Sequence, residues 1–418
     1  MEALSLDTVD IINPDLYVER GYPHEEWTLL RKQAPVFWYE RENVDPFWAI
    51  TRHADIIAVS RRPELFRSTQ RLFVTMNEPD MPPPDEALLR QLLNMNPPEH
   101  GAYRTVVSRR FTPAAVNQLA GHLDEIAAQL VDGIADREEC DFVTDLSAKL
   151  PLAVIAEMFG IPRSDWEMMF RLSNAMIGPA DPEYAHAQGG TIMEGLEQAR
   201  LEFFRYFTQL VEDRRKTPRD DLATALANGT VNGEPIPPFE LLSYFALLII
   251  AGNETTRNAT TGGLFALINH PEQLQLLQRN PALIRSAAEE ILRWTSPVIQ
   301  FMRIANQDTE LGGRKIRAED VLALFYPSAN RDEEVFDDPF KFDITRHPNY
   351  HLAFGIAEHF CLGANLARLE LQMIFRHLAA RLERIELAGP VARMRSSFVG
   401  GIKHMPIRYR LRPKARAA

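Results

Sequence analysis

Apolar positions recur every three to four residues through most of this chain, the spacing of helices with one buried face. The stretch "AAVNQLAGHLDEIAAQLVDGIADR" (114–137) follows Thr112-Pro113, a cap and first-turn pair. "MEGLEQARLEFFRYFTQLVEDRRK" (193–216) repeats the pattern. "FELLSYFALLIIAGNETTRNATTGGLFALINH" (239–270) is apolar on most sides, which predicts a helix running through the interior. "PALIRSAAEEILRWTS" (281–296) begins at Pro281 and stops before Pro297. Strand-like alternation is scarcer. "VFWYE" (36–40) and "FWAIT" (47–51) flank a polar turn and predict a hairpin. The segment 301–326 alternates around Gly312-Gly313 and predicts a second, and "SFVGGIKHMPIRYRL" (397–411) a third. "NEPDMPPPDEALLR" (77–90), rich in proline and acid, reads as a surface loop. With no internal repeat, the expected architecture is one mixed domain over 1–418, mainly α with small β-sheets.

Composition narrows the class. The chain has 418 residues, 45% of them apolar, enough for a sizeable core. The 46 basic against 57 acidic residues give a net charge of −11, which argues against a nucleic-acid partner. The opening "MEALSLDTVDIINPDLY" lacks the basic start and apolar run of a signal peptide. The longest apolar run, "FALLIIAG" (245–252), falls far short of the roughly 20 residues that span a bilayer. A soluble, cytoplasmic protein with no membrane span is expected. The only two cysteines, Cys140 and Cys361, lie far apart and argue against a disulfide framework.

Cys361 is the residue that asks for an explanation. It stands in "HLAFGIAEHFCLGANLARLELQ" (351–372), behind a glycine-containing loop and ahead of a strong helical pattern. A helix N-terminus presents unpaired N–H groups and a positive dipole end, so a thiol there is expected to ionise more readily. A nucleophilic role needs a base, for which His359 is the local candidate. Zinc needs more Cys or His at short spacing than this chain offers. A lone thiolate ligand suits an iron whose other ligands come from a macrocycle, with Gly355 and Gly363 letting backbone approach a flat group. A buried, inert cysteine is the remaining reading.

"FGIAEHFCLG" resembles the haem-binding motif of the cytochrome P450 family, F-G-x-G-x-[HR]-x-C-x-G, through Phe354, Gly355, His359, Cys361 and Gly363. Ala357 stands where the family usually has glycine, so the loop must accept a methyl group there. The resemblance implies the P450 fold, a single large domain with a long central helix across the haem. It also implies haem b (iron protoporphyrin IX), with Cys361 as the metal ligand.

Three further stretches carry the same resemblance in the family's order. "AGNETT" (251–256) matches the oxygen-activation motif [AG]-G-x-[DE]-T-[TS]. By its residues alone it reads as hydroxyls bonded back to the preceding turn, with Glu254 paired to Arg257 or to solvent. The resemblance makes Thr255 and Glu254 the catalytic alcohol and acid, with Ala251 and Gly252 leaving room above the iron. In "EEILRW", Glu290 and Arg293 share a helical face, and such pairs are common. They resemble the family's E-x-x-R brace, and Arg346 is the candidate third member. "NPPEHGAYRTVVSRRFTP" (96–113) reads alone as a solvated helix start. It resembles the segment whose His and Arg bind haem propionates, here His100 and Arg104, with Arg303 and His351 as further contacts.

The resemblance implies a monooxygenase that inserts one oxygen atom from O2 into a C–H bond of a hydrophobic small molecule. A separate ferredoxin and ferredoxin reductase with NAD(P)H are expected to supply the electrons, since no flavin or iron–sulfur segment is seen in the sequence. Arg109, Arg110 and Arg368 form a candidate docking patch or an ordinary solvated face. The implied substrate pocket comprises Phe73, Val74, Met76, Leu92, Met95, Val298, Ile299, Phe301, Phe398 and Val399. Steroid side chains, branched lipids or terpenoids are the favoured substrates, and a monomer is expected. A peroxide-driven haem enzyme and a haem-thiolate protein that only binds a ligand are the alternatives.

Overall fold

A computed structural model describes residues 4–69, 71–77, 89–177, 181, 183 and 192–413. Most of the proline- and acid-rich stretch 77–90 lies outside them.

The N-terminal hairpin forms as the alternation predicts. Val36–Arg41 pairs antiparallel with Val44–Ile50, and Asn43 takes the left-handed conformation at the turn. Val321–Phe325 adds in parallel, Gln300–Ala305 follows antiparallel, and Phe66–Arg67 completes a five-stranded sheet. Period-two alternation gives the sheet two apolar faces. Tyr39, Phe47 and Phe325 pack on Trp27 and Leu30, while Val36, Ile50 and Leu324 pack on Ile56 and Val59. The predicted 301–326 hairpin is present, with a ribbon of Thr309–Leu311 and Arg314–Ile316 at its tip. Gly312 and Gly313 both hold positive φ there, which only glycine adopts cheaply.

Two expectations need correction. The 397–411 stretch is not a hairpin. Ile402–His404 pairs with Ala392–Arg393, and Pro406–Leu411 pairs with Leu382–Leu387 and Glu139–Asp141. Ala392–Arg393 lies just before the predicted stretch, while Leu382–Leu387 and especially Glu139–Asp141 are more distant partners that alternation within 397–411 cannot reveal. The 114–137 helix breaks at Leu119 into Pro113–Gln118 and Ala120–Asp132. Its start is as expected, with the Thr112 hydroxyl accepting from the Ala115 N–H at 3.3 Å.

The interior helix runs Pro238–Asn269, 32 residues, or about 48 Å at 1.5 Å per residue. Helices Lys149–Met158, Trp166–Ile177, Ile284–Thr295 and Ala364–Arg381 pack around it. Its sides are buried almost throughout, yet Ala251 at its middle is exposed and Gly252 and Thr255 are half-exposed. An accessible patch in the middle of a core helix marks a cavity. Among the described residues no helix is long and apolar enough to cross a membrane.

Between Ala329 and Ala364 the chain is mostly irregular and needs partners for its backbone. Helix Ile284–Thr295 supplies them. Arg293 donates to the carbonyls of Asn330 (2.8 Å) and Pro339 (2.9 Å), and Glu290 accepts from the Asp343 N–H at 2.9 Å. Arg346 donates to the carbonyls of Asp337 (2.7 Å) and Asp338 (3.1 Å) and sits 3.3 Å from Glu290.

Candidate active site

A cavity lies between the central helix and the loop Phe354–Gly363. Ala251, Gly252 and Thr255 form one wall, and Phe354, Gly355, His359, Cys361 and Gly363 face them. His100, Arg104 and Arg303 complete its polar rim, while Leu92, Val298 and Phe301 lie on the apolar side.

Cys361 is held by its own loop, its N–H donating to the Phe354 carbonyl at 2.9 Å. The expectation that the helix end alone lowers its pKa is corrected here. Burial pushes the thiol up, and the Gly363 N–H, Arg104 and Arg368 only partly oppose it. A bound metal deprotonates a coordinating thiol outright, so ionisation is coupled to metal ligation. The loop turns on Gly355 and Ala357, with φ of 66° and 61°. Cys140 offers no competing chemistry. It sits buried in a short strand, its thiol pushed up to about 11 by burial.

The rim gathers four nitrogen bases or cations. His100 Nδ1 is 3.1 Å from Glu358, and its ring centroid is 4.4 Å from that of His359. His359 Nε2 is 3.1 Å from the Ser68 hydroxyl. Arg104 donates to the Phe360 carbonyl at 2.8 Å, and Arg303 to the Met302 carbonyl at 2.8 Å. Burial, then Arg303, His100 and Arg104, drive His359 down to about 2. Burial also holds His100 low, with Glu358 opposing and Arg104 and Arg303 adding to the drop. Such crowding of like groups in a buried rim is compensated when a multiply charged anion binds there. His351 is not brought to this rim. Its Nε2 lies 3.1 Å from Glu289, which also takes Arg368 at 2.7 Å. Burial opposes that carboxylate, but bonds from His351 and Arg368 hold it down at about 2.

On the central helix, the Thr255 hydroxyl donates to the Ala251 carbonyl at 2.8 Å, the back-bond expected from the sequence. Its donor is committed and its lone pairs are left for the cavity. Glu254 does not line the cavity. It is completely buried, ion-paired with Arg257 and accepting from Asn258 at 3.1 Å, while its second oxygen has no partner. Gly252 borders the cavity, but a Cβ there would meet Ile155 at 3.2 Å. Its smallness therefore serves helix packing. Gly363 differs, since a Cβ there meets nothing within 4 Å.

The remaining pocket expectations divide by strand face. Val298 points to the cavity and Ile299 away from it, into the core beside Val74 and Met76. Met95 and Val399 are core residues, Val399 bridged to Val298. Phe73 and Phe398 stack on each other just outside Phe301. Sequence reasoning missed Leu247 and Leu248, which line the cavity one turn before Ala251. Helical periodicity counted back from Thr255 reaches both. It also missed Glu370 on the cavity floor, whose carboxyl burial pushes up to about 8.

The cytochrome P450 family model matches residues 76–388. A steroid C26-monooxygenase of Rhodococcus jostii is 38% identical over 409 residues, covering 96% of this chain and 84% of the relative. A linalool 8-monooxygenase of Pseudomonas putida is 36% identical over 408 residues, covering 96% and 99%. The solved structure of a Mycobacterium marinum cytochrome P450 in complex with pseudoionone superposes with a TM-score of 0.87 at 33% identity, covering 98% and 100%. A mainly helical fold, one cysteine facing a central helix across a cavity and a cationic rim together define a haem-thiolate enzyme. The chain belongs to the cytochrome P450 family and is a monooxygenase. The site fits the family's cofactor, with a lone sulfur donor, open space beside Gly363 and a rim in want of anions.

Proposed function

We propose that this enzyme binds haem b and hydroxylates an elongated hydrophobic substrate of the steroid, branched-lipid or terpenoid kind. Haem held by a cysteine thiolate supplies oxygen activation. Cys361 donates the sulfur ligand, while His100, Arg104, Arg303 and His359 hold the propionate carboxylates. Thr255 offers its lone pairs to a hydrogen-bond donor in the cavity. Glu254 turns from its Arg257 partner to relay protons to that hydroxyl, a general-acid role. Leu92, Leu247, Leu248, Val298 and Phe301 exclude water and bind hydrocarbon. Relatives named for steroid and linalool oxidation support the substrate class.

Electrons reach the Cys361 side from a ferredoxin and its NAD(P)H-dependent reductase. The groove there, lined by Arg285, Arg346, Arg368 and Tyr350, suits an acidic partner. Arg109 and Arg110 are surface cations of this chain, Arg110 lying 2.6 Å from Asp220.

The observation that carries the reading is Thr255 facing the cavity across from Cys361. Product formation with a ferredoxin pair and NADPH is the test. Thr255→Ala is expected to keep haem but divert oxygen to hydrogen peroxide. Equal turnover with peroxide alone, or unchanged coupling in the variant, overturns it.

A further inference from the structure

Gln300 heads the sheet strand Gln300–Ala305 and is completely buried. Its side-chain amide behaves as a strand partner. Nε2 donates to the Val74 carbonyl at 2.6 Å, and Oε1 accepts from the Val74 N–H at 3.1 Å. A longer contact of 3.4 Å reaches the Ser397 carbonyl. Both backbone groups of the buried Val74 are thereby satisfied by one side chain. Backbone bonds flank this tie. The Met302 N–H donates to the Leu72 carbonyl and the Ile299 N–H to the Phe398 carbonyl, each at 2.8 Å. Gln300 thus sits where a segment near one end of the chain meets a segment near the other.

The neighbours of the tied residues are aromatic. Phe73 precedes Val74, and Phe398 follows Ser397. Their rings stack with centroids 4.1 Å apart and planes 11° apart. Phe398 also meets Phe301 edge-on at 5.6 Å, and Phe301 lines the cavity. Running outward from the cavity, the order is Phe301, Phe398, Phe73. Phe73 and Phe398 remain partly exposed, so the stack keeps accessible aromatic surface beyond Phe301.

We propose that Gln300 is a positioning residue for substrate, holding Phe73 and Phe398 stacked as the outer aromatic wall on which the tail of a long apolar substrate packs. This rests on the cavity being the substrate site described above. A flat aromatic wall offers area and no hydrogen bonds. It favours long hydrocarbon tails and is out of reach of small ligands.

The test uses two ligands that share a head group on the haem-loaded enzyme, imidazole and 1-dodecylimidazole, followed by the shift of the Soret band. Gln300→Leu keeps volume and removes the amide. It is expected to weaken 1-dodecylimidazole by about tenfold and imidazole by no more than about twofold. Phe398→Ala is expected to do the same, and the double variant no worse than Phe398→Ala, since Gln300 acts through that ring. Equal loss for both ligands, or losses that multiply in the double variant, overturns the proposal. Phe73→Ala leaves Gln300 in place and must show the same tail-dependent loss, which keeps the test open if Gln300→Leu does not fold. A wild-type chain that takes up no haem fails in a different way, overturning the reading of the site and this inference with it.

Discussion

Glu254–Arg257 and Glu290–Arg293 are both acid–arginine pairs three residues apart on a helix, and all four side chains are completely buried. Their surroundings differ. Both oxygens of Glu290 are used, by Arg293 at 2.7 and 2.8 Å, the Asp343 N–H at 2.9 Å and Asn349 at 3.1 Å. One oxygen of Glu254 takes Arg257 and Asn258, while the other takes nothing, and the neighbouring Asn253 amide also lacks partners. A saturated buried network fixes a structure, whereas a half-satisfied one costs stability and leaves capacity for a changed partner. The same spacing thus makes a saturated brace in one helix and a half-satisfied acid in the other.

The brace should break hardest. Arg293→Ala leaves Glu290 buried with reduced pairing and frees the carbonyls of Asn330 and Pro339. A loss of about 3–5 kcal/mol is expected, seen as a lower denaturant midpoint and poor haem retention. An unfolding free energy within about 1 kcal/mol of wild type would place the bracing elsewhere.

Glu254→Gln tests the other pair. The amide keeps shape and can still accept from Asn258 and Arg257, but the buried Arg257 loses its counter-charge, so some stability is lost while the fold and haem content hold and proton relay fails. A fall in kcat of about 100-fold is expected, with a larger solvent isotope effect and unchanged haem content. A variant that loses haem or unfolds as Arg293→Ala does would show that the two pairs are alike after all.

Glu289 lies one residue before the brace and extends the comparison to pH. Its carboxyl is held at about 2 by His351 and Arg368 against the pull of burial. A depressed carboxyl stabilises the fold above its unfolded value of about 4.3 and loses that contribution as pH falls toward 2. The contribution is about 2–3 kcal/mol, and Glu289→Gln should remove most of it at neutral pH. Wild type and variant should then converge in stability between about pH 4.5 and 2. Parallel acid-unfolding curves would remove Glu289 from the balance.

What was legible in the sequence follows from the reach of each signal. Cys361, Thr255 and the His100–Arg104 pair lie in short contiguous patterns, so their meeting at one cavity was expected. The roles of Gly252 and Gln300 depend on Ile155 and Val74, 97 and 226 positions away, which no local window contains. Glu254 was read two ways, and its placement matches the local pairing with Arg257 that its spacing suggested. His351 lies next to the site in sequence, yet Glu289 on another helix draws it off.

Ala357 gives the smallest effect, and it runs toward stability. The residue holds φ at 61°, a conformation that costs an L-residue roughly 1–2 kcal/mol, and it begins the short turn Ala357–His359. Its methyl group is exposed, so glycine gives up no packing. Against that, glycine adds roughly 0.5–1 kcal/mol of unfolded-chain entropy. Ala357→Gly should therefore raise stability by about 0.5–1 kcal/mol, read as a higher denaturant midpoint with an unchanged slope. The backbone bond from the Phe360 N–H to the Ala357 carbonyl, 3.0 Å, is independent of the side chain, so His359 should keep its place against Ser68. A lower midpoint in the variant would mean that the methyl group makes a contact worth more than the strain it causes, and that the loop differs from the family pattern by design of its packing and not merely by tolerance.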